Sequence, residues 1–243
     1  MKPFTFINVA VTADGKMDTY ERRGSAISSA QDKLRVDKLR ADADAVMVGG
    51  KTLIQEDPKL TVKSKALRAE RVTRGLTPNP IKVGIVTNAD DLHTGNFVNF
   101  GSARVVIFTT EQTSKAQVES LRARNVEVYV HHMPRIDLVK ALHTLSELGV
   151  KRLMVEGGGT LNFELLRLGL VDELTMYVAP IIFGGESAPT AAAGSGVARS
   201  EAIPLRLIKS EVFDDEGGVL LHYSLAPHLN LLPFGHNVPA GEG

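Results

Sequence analysis

Residues 153–162, LMVEGGGTLN, join a short apolar run, three consecutive glycines and a helix-forming segment without a break. The apolar run predicts a buried strand over 152–155, and the spacing of apolar residues predicts a helix from Thr160 to Leu168. Glycines at such a junction let backbone N–H groups approach a phosphate, and the positive end of the helix dipole strengthens that attraction. The same residues also fit a tight β–α turn in which glycine only relieves crowding. The junction therefore predicts an α/β protein and marks one candidate ligand site.

A second glycine junction lies earlier in the chain, at 46–60, VMVGGKTLIQEDPKL. A strand over 45–48 is expected to stop at Gly49-Gly50, and a brief helix from Thr52 to Gln55 is expected to end before Asp57-Pro58. Neither junction is a Rossmann GxGxxG or a P-loop GxxxxGK[ST]. Because ligands of open α/β sheets bind beyond the carboxyl ends of the strands, two such loops at one cleft would suit the two halves of a dinucleotide.

Outside the junctions, strand and helix patterns alternate along most of the chain. Strands are predicted at 4–11, 82–87, 104–108 and 126–130, and helices at 32–40, after Ser114 and at 138–148. Further strands at 174–179, 205–212 and 219–225 have no long helices between them. Residues 60–62 are expected to begin another extended piece, 63–79 to form a solvated basic loop, and 226–243 to form a loosely held tail. The pattern predicts one domain over 1–225, a mostly parallel mixed sheet between helices with an antiparallel C-terminal edge.

Composition excludes several classes of chemistry. The 243 residues hold 28 Lys plus Arg against 28 Asp plus Glu, so no net positive field attracts nucleic acid or an anionic membrane. Cysteine is absent, which removes disulfides, thiolate nucleophiles, Cys-ligated zinc and iron–sulfur clusters. The seven histidines show no metal-ligand spacing, and no metal is expected. No apolar run approaches the roughly 18 residues of a membrane span, and the N-terminus lacks a secretory cleavage pattern, so a cytoplasmic protein is expected.

Four motifs in order resemble the pyrimidine reductases of riboflavin biosynthesis. They are VAVTADGK at 9–16, LRADADAVMVGGKTLIQEDPKL at 39–60, VEGGGTLNFELL at 155–166 and VDELTMYVAPIIFGG at 171–185. The resemblance covers roughly residues 3 to 225. It implies a dihydrofolate-reductase-like three-layer sandwich, NADPH lying across the strand ends, and a homodimer.

The resemblance also implies which residues bind the cofactor. The diphosphate would be held by Gly157 to Leu161 of the first junction, faced by Thr52 and the acidic pair Glu56-Asp57, with Thr87 and Asn88 at the adenosine end. The implied cofactor-binding residues are Thr52, Glu56, Thr87, Asn88, Gly157, Gly158, Gly159, Thr160 and Leu161. The family usually has Asp where Glu56 stands and Asp-Ser where Thr87-Asn88 stands. A partner for the 2′-phosphate is not evident from the sequence, and Lys115 and Arg104 are the candidates.

For the substrate, the resemblance implies Asn8, Ser28, Arg40, Leu60, Lys63 and Glu156. Arg40 and Lys63 would bind a 5′-phosphate with the Ser28 hydroxyl, although Lys63 replaces an Arg of many relatives and so lacks bidentate geometry. Without the family, Arg40 would be interpreted as a surface charge of a helix. The alternative for Glu156 is a structural carboxylate that caps the adjacent glycine turn. The implied reaction is hydride transfer from nicotinamide C4 to C1′ of an opened ribosylamine, with Asp57 or Glu156 as the proton carrier.

Asn8 bears on which pyrimidine is reduced. Bifunctional bacterial relatives tend to carry Lys at the matching place, and Lys only donates hydrogen bonds, which fits a ring carbonyl. Asn also accepts, which fits an amino substituent, so the diaminopyrimidinone is the expected substrate. The absence of HxE and PCxxC deaminase signatures agrees with this. The alternatives are a reductase of the same fold acting on the deaminated pyrimidine or on a folate or pterin, and a noncatalytic nucleotide-binding protein.

Overall fold

The structure is a computed structural model that describes residues 1–22, 24, 27–92 and 95–225. The elements, in chain order, are β1 (Phe4–Thr12), α1 (Ala30–Asp42), β2 (Ala45–Gly49), α2 (Gly50–Glu56), α3 (Lys65–Thr73), β3 (Ile81–Ile85), α4 (Asn96–Asn99), β4 (Val105–Thr110), α5 (Lys115–Arg122), β5 (Val126–His131), α6 (Leu138–Glu147), β6 (Arg152–Val155), α7 (Gly159–Arg167), β7 (Glu173–Ala179), a 3₁₀ turn (Arg199–Glu201), β8 (Leu205–Val212) and β9 (Val219–Leu225). The expectation of a single domain over 1–225 stays a prediction, and the expected tail, 226–243, lies outside the described residues.

Among the described residues, the strands form one sheet in the order β5-β4-β3-β2-β6-β1-β7-β9-β8. Strands β1 to β7 pair in parallel, whereas β9 runs antiparallel to both β7 and β8. Apolar side chains from successive strand positions point to opposite faces and build two cores. Helices α6 and α7 cover one face, and α1, α2, α4 and α5 cover the other. The predicted three-layer α/β sandwich with an antiparallel C-terminal edge is confirmed.

The expectation of a solvated loop over 63–79 is wrong, because α3 occupies its centre. The Ser64 hydroxyl accepts a hydrogen bond from the Leu67 amide and caps the helix. Arg71 is buried, and its guanidinium donates to the carbonyls of Ala41, Ala43 and Thr77. Residues 60–62 form no strand, and α4 was not anticipated. The basic residues of this segment therefore belong to a helix, and the charge of its buried Arg71 is directed at three backbone carbonyls.

Strand order sets the place where a ligand can enter. The chain leaves β2 toward β3 on one side and leaves β6 toward β7 on the other, so the connections that follow these two paired strands diverge. Such a divergence opens a crevice in open α/β sheets. The two glycine junctions follow these two strands, and they are bonded to each other, since the Gly49 amide donates to the Gly157 carbonyl at 2.8 Å.

Neither a membrane-spanning helix nor a metal-binding cluster is present among the described residues. Within them, no helix has the length and apolar character that crossing a membrane requires. The same residues contain no group of three or more His, Asp or Glu side chains arranged to hold a metal ion.

Candidate active site

A cleft of about 1070 Å³ lies over the carboxyl ends of β1, β6, β2 and β3. Both glycine junctions form its floor, through Gly49 and Gly50 on one side and Gly158 and Gly159 on the other. The cleft is therefore open above both predicted binding turns. A dinucleotide has room to lie across them.

Close packing explains why side chains are missing at these turns. A Cβ on Gly158 would lie 3.1 Å from the Thr52 hydroxyl oxygen, and a Cβ on Gly159 would overlap the Thr190 carbonyl oxygen. Gly157 has φ +96°, a conformation that favours glycine, and the Gly157–Gly158 peptide is cis. Close packing thus requires glycine at 158 and 159, and backbone conformation favours it at 157.

Most of the predicted site residues line this cleft. They are Asn8, Ser28, Thr52, Glu56, Thr87, Asn88, Glu156, Gly158, Gly159, Thr160 and Leu161. Gly157 is not among the lining residues, because its carbonyl is turned toward the Gly49 amide. Residues more than 140 positions apart in the chain are brought together here by the parallel sheet.

Asp57 and Leu60 are not in the cleft. The Asp57 carboxylate accepts hydrogen bonds from the amides of Asn96 and Phe97 at 2.6 and 2.8 Å, and it therefore caps the N-terminus of α4. Leu60 is fully buried in the core that contains Phe97. The position of Asp57 gives no support to its predicted role as a proton carrier, and the side chain of Leu60 has no access to a substrate.

Arg40 and Glu156, predicted as two separate substrate contacts, bind each other. The Arg40 Nε and Nη2 atoms donate to the two Glu156 carboxylate oxygens at 2.6 and 2.7 Å, and Nη1 lies 3.3 Å from the Thr61 carbonyl. Burial opposes the charge on Arg40, but the Glu156 carboxylate outweighs it and raises the pKa of Arg40. The guanidinium is thus committed to fixing Glu156 at the wall of the cleft.

A side pocket of about 220 Å³ adjoins the cleft, and Ser28 and Val36 line both spaces. We call it the lysine pocket; its lining residues are Ile27, Ser28, Lys33, Val36, Asp37, Arg40 and Lys63. Asp37 is occupied by the amides of Lys63 and Ser64. The ammonium groups of Lys33 and Lys63 have no hydrogen bond or ion pair with any described residue. Sequence reasoning missed Lys33, although it lies two helical turns before Arg40 and therefore on the same face of α1.

The opposite end of the cleft contains Thr87, Asn88, Arg135, Asp137 and Leu168. Asp137 caps α6 by accepting from the Lys140 amide, so its carboxylate is occupied. Arg135 was missed by the sequence analysis, and its side chain has no partner among the residues that the structure describes.

The two 2′-phosphate candidates from the sequence lie elsewhere. Arg104 forms a two-pronged ion pair with Glu127, and neither Arg104 nor Lys115 lines the cleft. Arg135 is one of four cationic residues of the described chain that line the cleft, with Arg22, Lys51 and Arg167. Arg22 donates to the Ser187 carbonyl and Arg167 to the Glu164 carboxylate.

Two polar groups of the cleft are poised for a ligand. Asn8 is 7% exposed, and its side-chain oxygen has no hydrogen-bond partner within the described part of the chain. A buried unpaired carbonyl oxygen is costly, so it points to a donor supplied by a ligand. Glu56 as a residue is exposed, but desolvation of its carboxyl, and next the charge of Asp18, raise the pKa of that carboxyl above its ordinary value. Glu56 therefore holds its proton to a higher pH than an ordinary Glu side chain does.

Comparisons with known proteins agree on one family. A family model described as the RibD C-terminal domain matches residues 3–220. A protein of Archaeoglobus fulgidus named 2,5-diamino-6-ribosylamino-4(3H)-pyrimidinone 5′-phosphate reductase is 39% identical over 194 residues, which cover 80% of this chain and 88% of that protein. A protein of Methanothermobacter thermautotrophicus with the same name is 37% identical over 217 residues, 89% of this chain and 96% of that protein. The crystal structure of a pyrimidine reductase-like protein from Corynebacterium diphtheriae superposes with a TM-score of 0.80 at 20% identity, covering 93% of this chain and 92% of that one.

Proposed function

The chain belongs to the RibD C-terminal domain family, and on that premise we propose that it is an oxidoreductase of riboflavin biosynthesis. Its reaction converts the ribosylamino side chain of a 5′-phosphorylated diaminopyrimidinone to the ribitylamino form, with NADPH as the reductant. The observation that carries this proposal is the continuous cleft, which joins two bare glycine turns to a pocket with two unpaired lysines. A dinucleotide and a small phosphorylated substrate need this combination of spaces.

The cofactor would lie across the glycine junctions, and the residues there fit it. Gly158, Gly159 and Thr160 line the cleft at the start of α7, where backbone amides would suit the diphosphate, and the Thr52 hydroxyl lies beside Gly158. Thr87 and Asn88 line the end suited to the adenosine. When bound, the cofactor supplies the hydride, and the protein holds the donor and acceptor carbons about 3–3.5 Å apart.

The substrate would occupy the end of the cleft beside α1. The ammonium groups of Lys33 and Lys63 and the Ser28 hydroxyl suit its 5′-phosphate. The unpaired oxygen of Asn8 suits a ring amino group, and Glu156, fixed by Arg40, can accept hydrogen bonds from ribose hydroxyls.

Two proton movements accompany the hydride. Opening the ribosylamine moves a proton from its nitrogen to the ring oxygen and leaves an imine. Reduction of the imine adds the hydride to C1′ and a proton to nitrogen. A carboxyl with a raised pKa is suited to both movements, and Glu56, which lines the cleft and has such a pKa, is favoured in this role over Asp57, which does not line it.

A homodimer in the cytoplasm is also part of the proposal, and both features come from the family. A surface suited to self-association is present on β8, where Leu205, Leu207, Ile208 and Val212 are all exposed. Exposed apolar side chains on an edge strand favour pairing with another chain.

The decisive experiment follows NADPH oxidation with three substrates: the diaminopyrimidinone ribosylamino 5′-phosphate, its deaminated analogue, and dihydrofolate. The proposal expects the highest kcat/KM with the first. Preference for the analogue would favour the reductase of the later pathway intermediate, and preference for dihydrofolate would favour a folate enzyme. Tight NADPH binding without oxidation by any of them would indicate a noncatalytic binding protein.

Asn8 gives a sharper test of the substrate. The Asn8→Lys variant replaces an acceptor with a donor-only cation, so we expect kcat/KM for the aminated substrate to fall about tenfold or more. The ratio of kcat/KM values should shift toward the deaminated analogue. Asn8→Leu is the control, since it removes both functions and should weaken both substrates. An unchanged ratio in Asn8→Lys would contradict the assignment.

A further inference from the structure

The turn between β8 and β9 packs on the beginning of α1, far from it in sequence. The Gln31 side-chain amide donates to the Phe213 carbonyl at 2.8 Å, and the Arg35 guanidinium lies over the Phe213 ring at 5.9 Å. The first two turns of the helix are therefore in contact with a hairpin that takes no part in the cleft.

Asp214 is the centre of this contact. One of its carboxylate oxygens accepts from the Ser29 hydroxyl at 2.6 Å and from the Tyr177 hydroxyl at 2.8 Å, and the other accepts from the Gly218 amide at 2.8 Å. The Ser29 hydroxyl oxygen in turn accepts from the Asp32 amide and caps α1. A negative charge next to a capped helix N-terminus is favourable because it faces the positive end of the helix dipole.

The anchoring residues leave little freedom. Ser29 and Tyr177 are both buried, and Tyr177, in β7, is only 1% exposed. Gly218 has no space for a side chain, because an added Cβ would overlap the Tyr177 ring. The position of Ser29 is thus set by β7 and by the β8–β9 turn together.

Helix α1 carries much of the substrate end of the cleft. Ser28 directly precedes the cap and lines both the cleft and the lysine pocket. Lys33, Val36 and Arg40 follow on the same face, and Arg40 holds the Glu156 carboxylate. From Ser29 to Arg40 the helix spans about 16 Å, so a shift at its beginning moves every one of these groups.

We infer that Asp214 is a positioning residue for substrate binding, which acts through Ser29 and α1 and does not touch the substrate. This inference rests on the proposed function. The cofactor end is built from β2, β3, β6 and α7 and has no contact with Asp214. Loss of the Asp214 carboxylate should therefore disturb one end of the cleft and spare the other.

The test compares Asp214→Ala with Asp215→Ala, which removes the exposed neighbouring carboxylate of the same turn. We expect Asp214→Ala to raise KM for the phosphorylated substrate about tenfold, with kcat and the Kd for NADPH within about twofold of wild type. Amide hydrogen exchange over 30–35 should be faster in Asp214→Ala alone. Asp214→Asn keeps an oxygen acceptor for the Ser29 and Tyr177 hydroxyls and should restore most of the lost affinity.

Each other result overturns the inference. Faster exchange in α1 with an unchanged KM would make Asp214 a structural contact only. A parallel loss of NADPH affinity and substrate affinity would indicate general destabilisation, and equal effects in Asp215→Ala would remove the assignment to this carboxylate. If the wild-type protein fails to oxidise NADPH, the proposed function is refuted instead. The variants are then compared by calorimetric binding of ribose 5-phosphate. An unchanged affinity for ribose 5-phosphate in Asp214→Ala again overturns the inference.

Discussion

Arg135 places a cation without a described partner in the cleft, beside the residues proposed to bind the adenosine, and we expect it to discriminate between the two nicotinamide dinucleotides. A phosphate on the adenosine ribose needs a cationic donor, whereas a free ribose diol is usually bound by a carboxylate. Asp137, the neighbouring carboxylate, is occupied as a helix cap. We therefore expect Arg135→Ala to raise the Kd for NADPH about tenfold and to leave the Kd for NADH unchanged.

Arg124→Ala is the matched control, since Arg124 is exposed at the end of α5 and does not line the cleft. Fluorescence titration with both dinucleotides and with 2′,5′-ADP measures the effect directly. A Kd for NADPH that stays unchanged in Arg135→Ala, or losses of equal size for both dinucleotides, would show that the 2′-phosphate is bound elsewhere.

For individual residues, the sequence predicted which side chains lie at the site better than it predicted which groups they bind. Asn8, Thr52 and Glu156 were implied by the resemblance to the reductase family, and all three line the cleft. The pairing of Arg40 with Glu156 joins positions 116 residues apart, and no local pattern carries that information. Arg135 was missed for a related reason: a lone cation in a loop acquires a role only through what the fold places beside it.

Helix α4 illustrates how a short element is held by its ends. Asp57 accepts from its first amides, while the buried Lys82 ammonium donates to the carbonyls of Asn96, Phe97 and Phe100. Four residues cannot form a stable helix alone, so these two side chains and the burial of Phe97 keep it in place.

Lys82 should leave a signature in the pH dependence of stability. Burial lowers its pKa from 10.5 to about 8, partly opposed by the charge of Asp57. Between these values the unfolded chain binds a proton that the folded chain does not, so stability rises with pH. The gain in stability that comes from the lowered pKa of Lys82 is complete above pH 10.5 and is lost as the pH falls through 8, where folded Lys82 takes up its proton. The free energy of unfolding of wild type minus that of Lys82→Met should therefore increase by roughly 2–3 kcal/mol from pH 7 to 10.5.

Urea unfolding at several pH values measures this difference, with Lys115→Met as the control because Lys115 is an exposed lysine of α5. The Lys115 control should show no such slope. A wild-type minus Lys82→Met difference that stays constant with pH would mean that Lys82 titrates normally.

Elements with apolar periodicity were predicted well, and those held by polar contacts were not. The edges of β6, β8 and β9 agree with the sequence pattern to the residue, because their alternation or apolar run ends at a glycine or a turn. Helix α3 was not predicted, because the residue that anchors it is Arg71. The stem of Arg71 is buried, and its guanidinium donates to the backbone carbonyls of Ala41 and Ala43 at the end of α1. Hydrophobic pattern cannot distinguish such an Arg from a solvated one.

For the whole molecule, the β/α alternation predicted the layers, and the order of strands followed only from the structure. A helix between β5 and β6 does not say that β6 returns to lie beside β2. That return creates the crevice on which the proposed chemistry depends. The sheet also ends in β8, whose eight residues are nearly all exposed and include four large apolar side chains.

This exposed edge predicts self-association through β8. Ile208 is 60% exposed at a register shift of the strand, where it makes no cross-strand pair in the sheet. A charge there would be buried unpaired in a dimer, so Ile208→Lys should raise the dimer dissociation constant more than tenfold. Val72→Lys is the control, since Val72 is similarly exposed on α3, away from this edge. Sedimentation equilibrium over a range of protein concentrations gives the constant for each variant. A dimer that is equally stable in Ile208→Lys and Val72→Lys would place the contact on another surface. Because the β8–β9 turn carries Asp214, dissociation of the dimer by Ile208→Lys should also raise KM for the substrate.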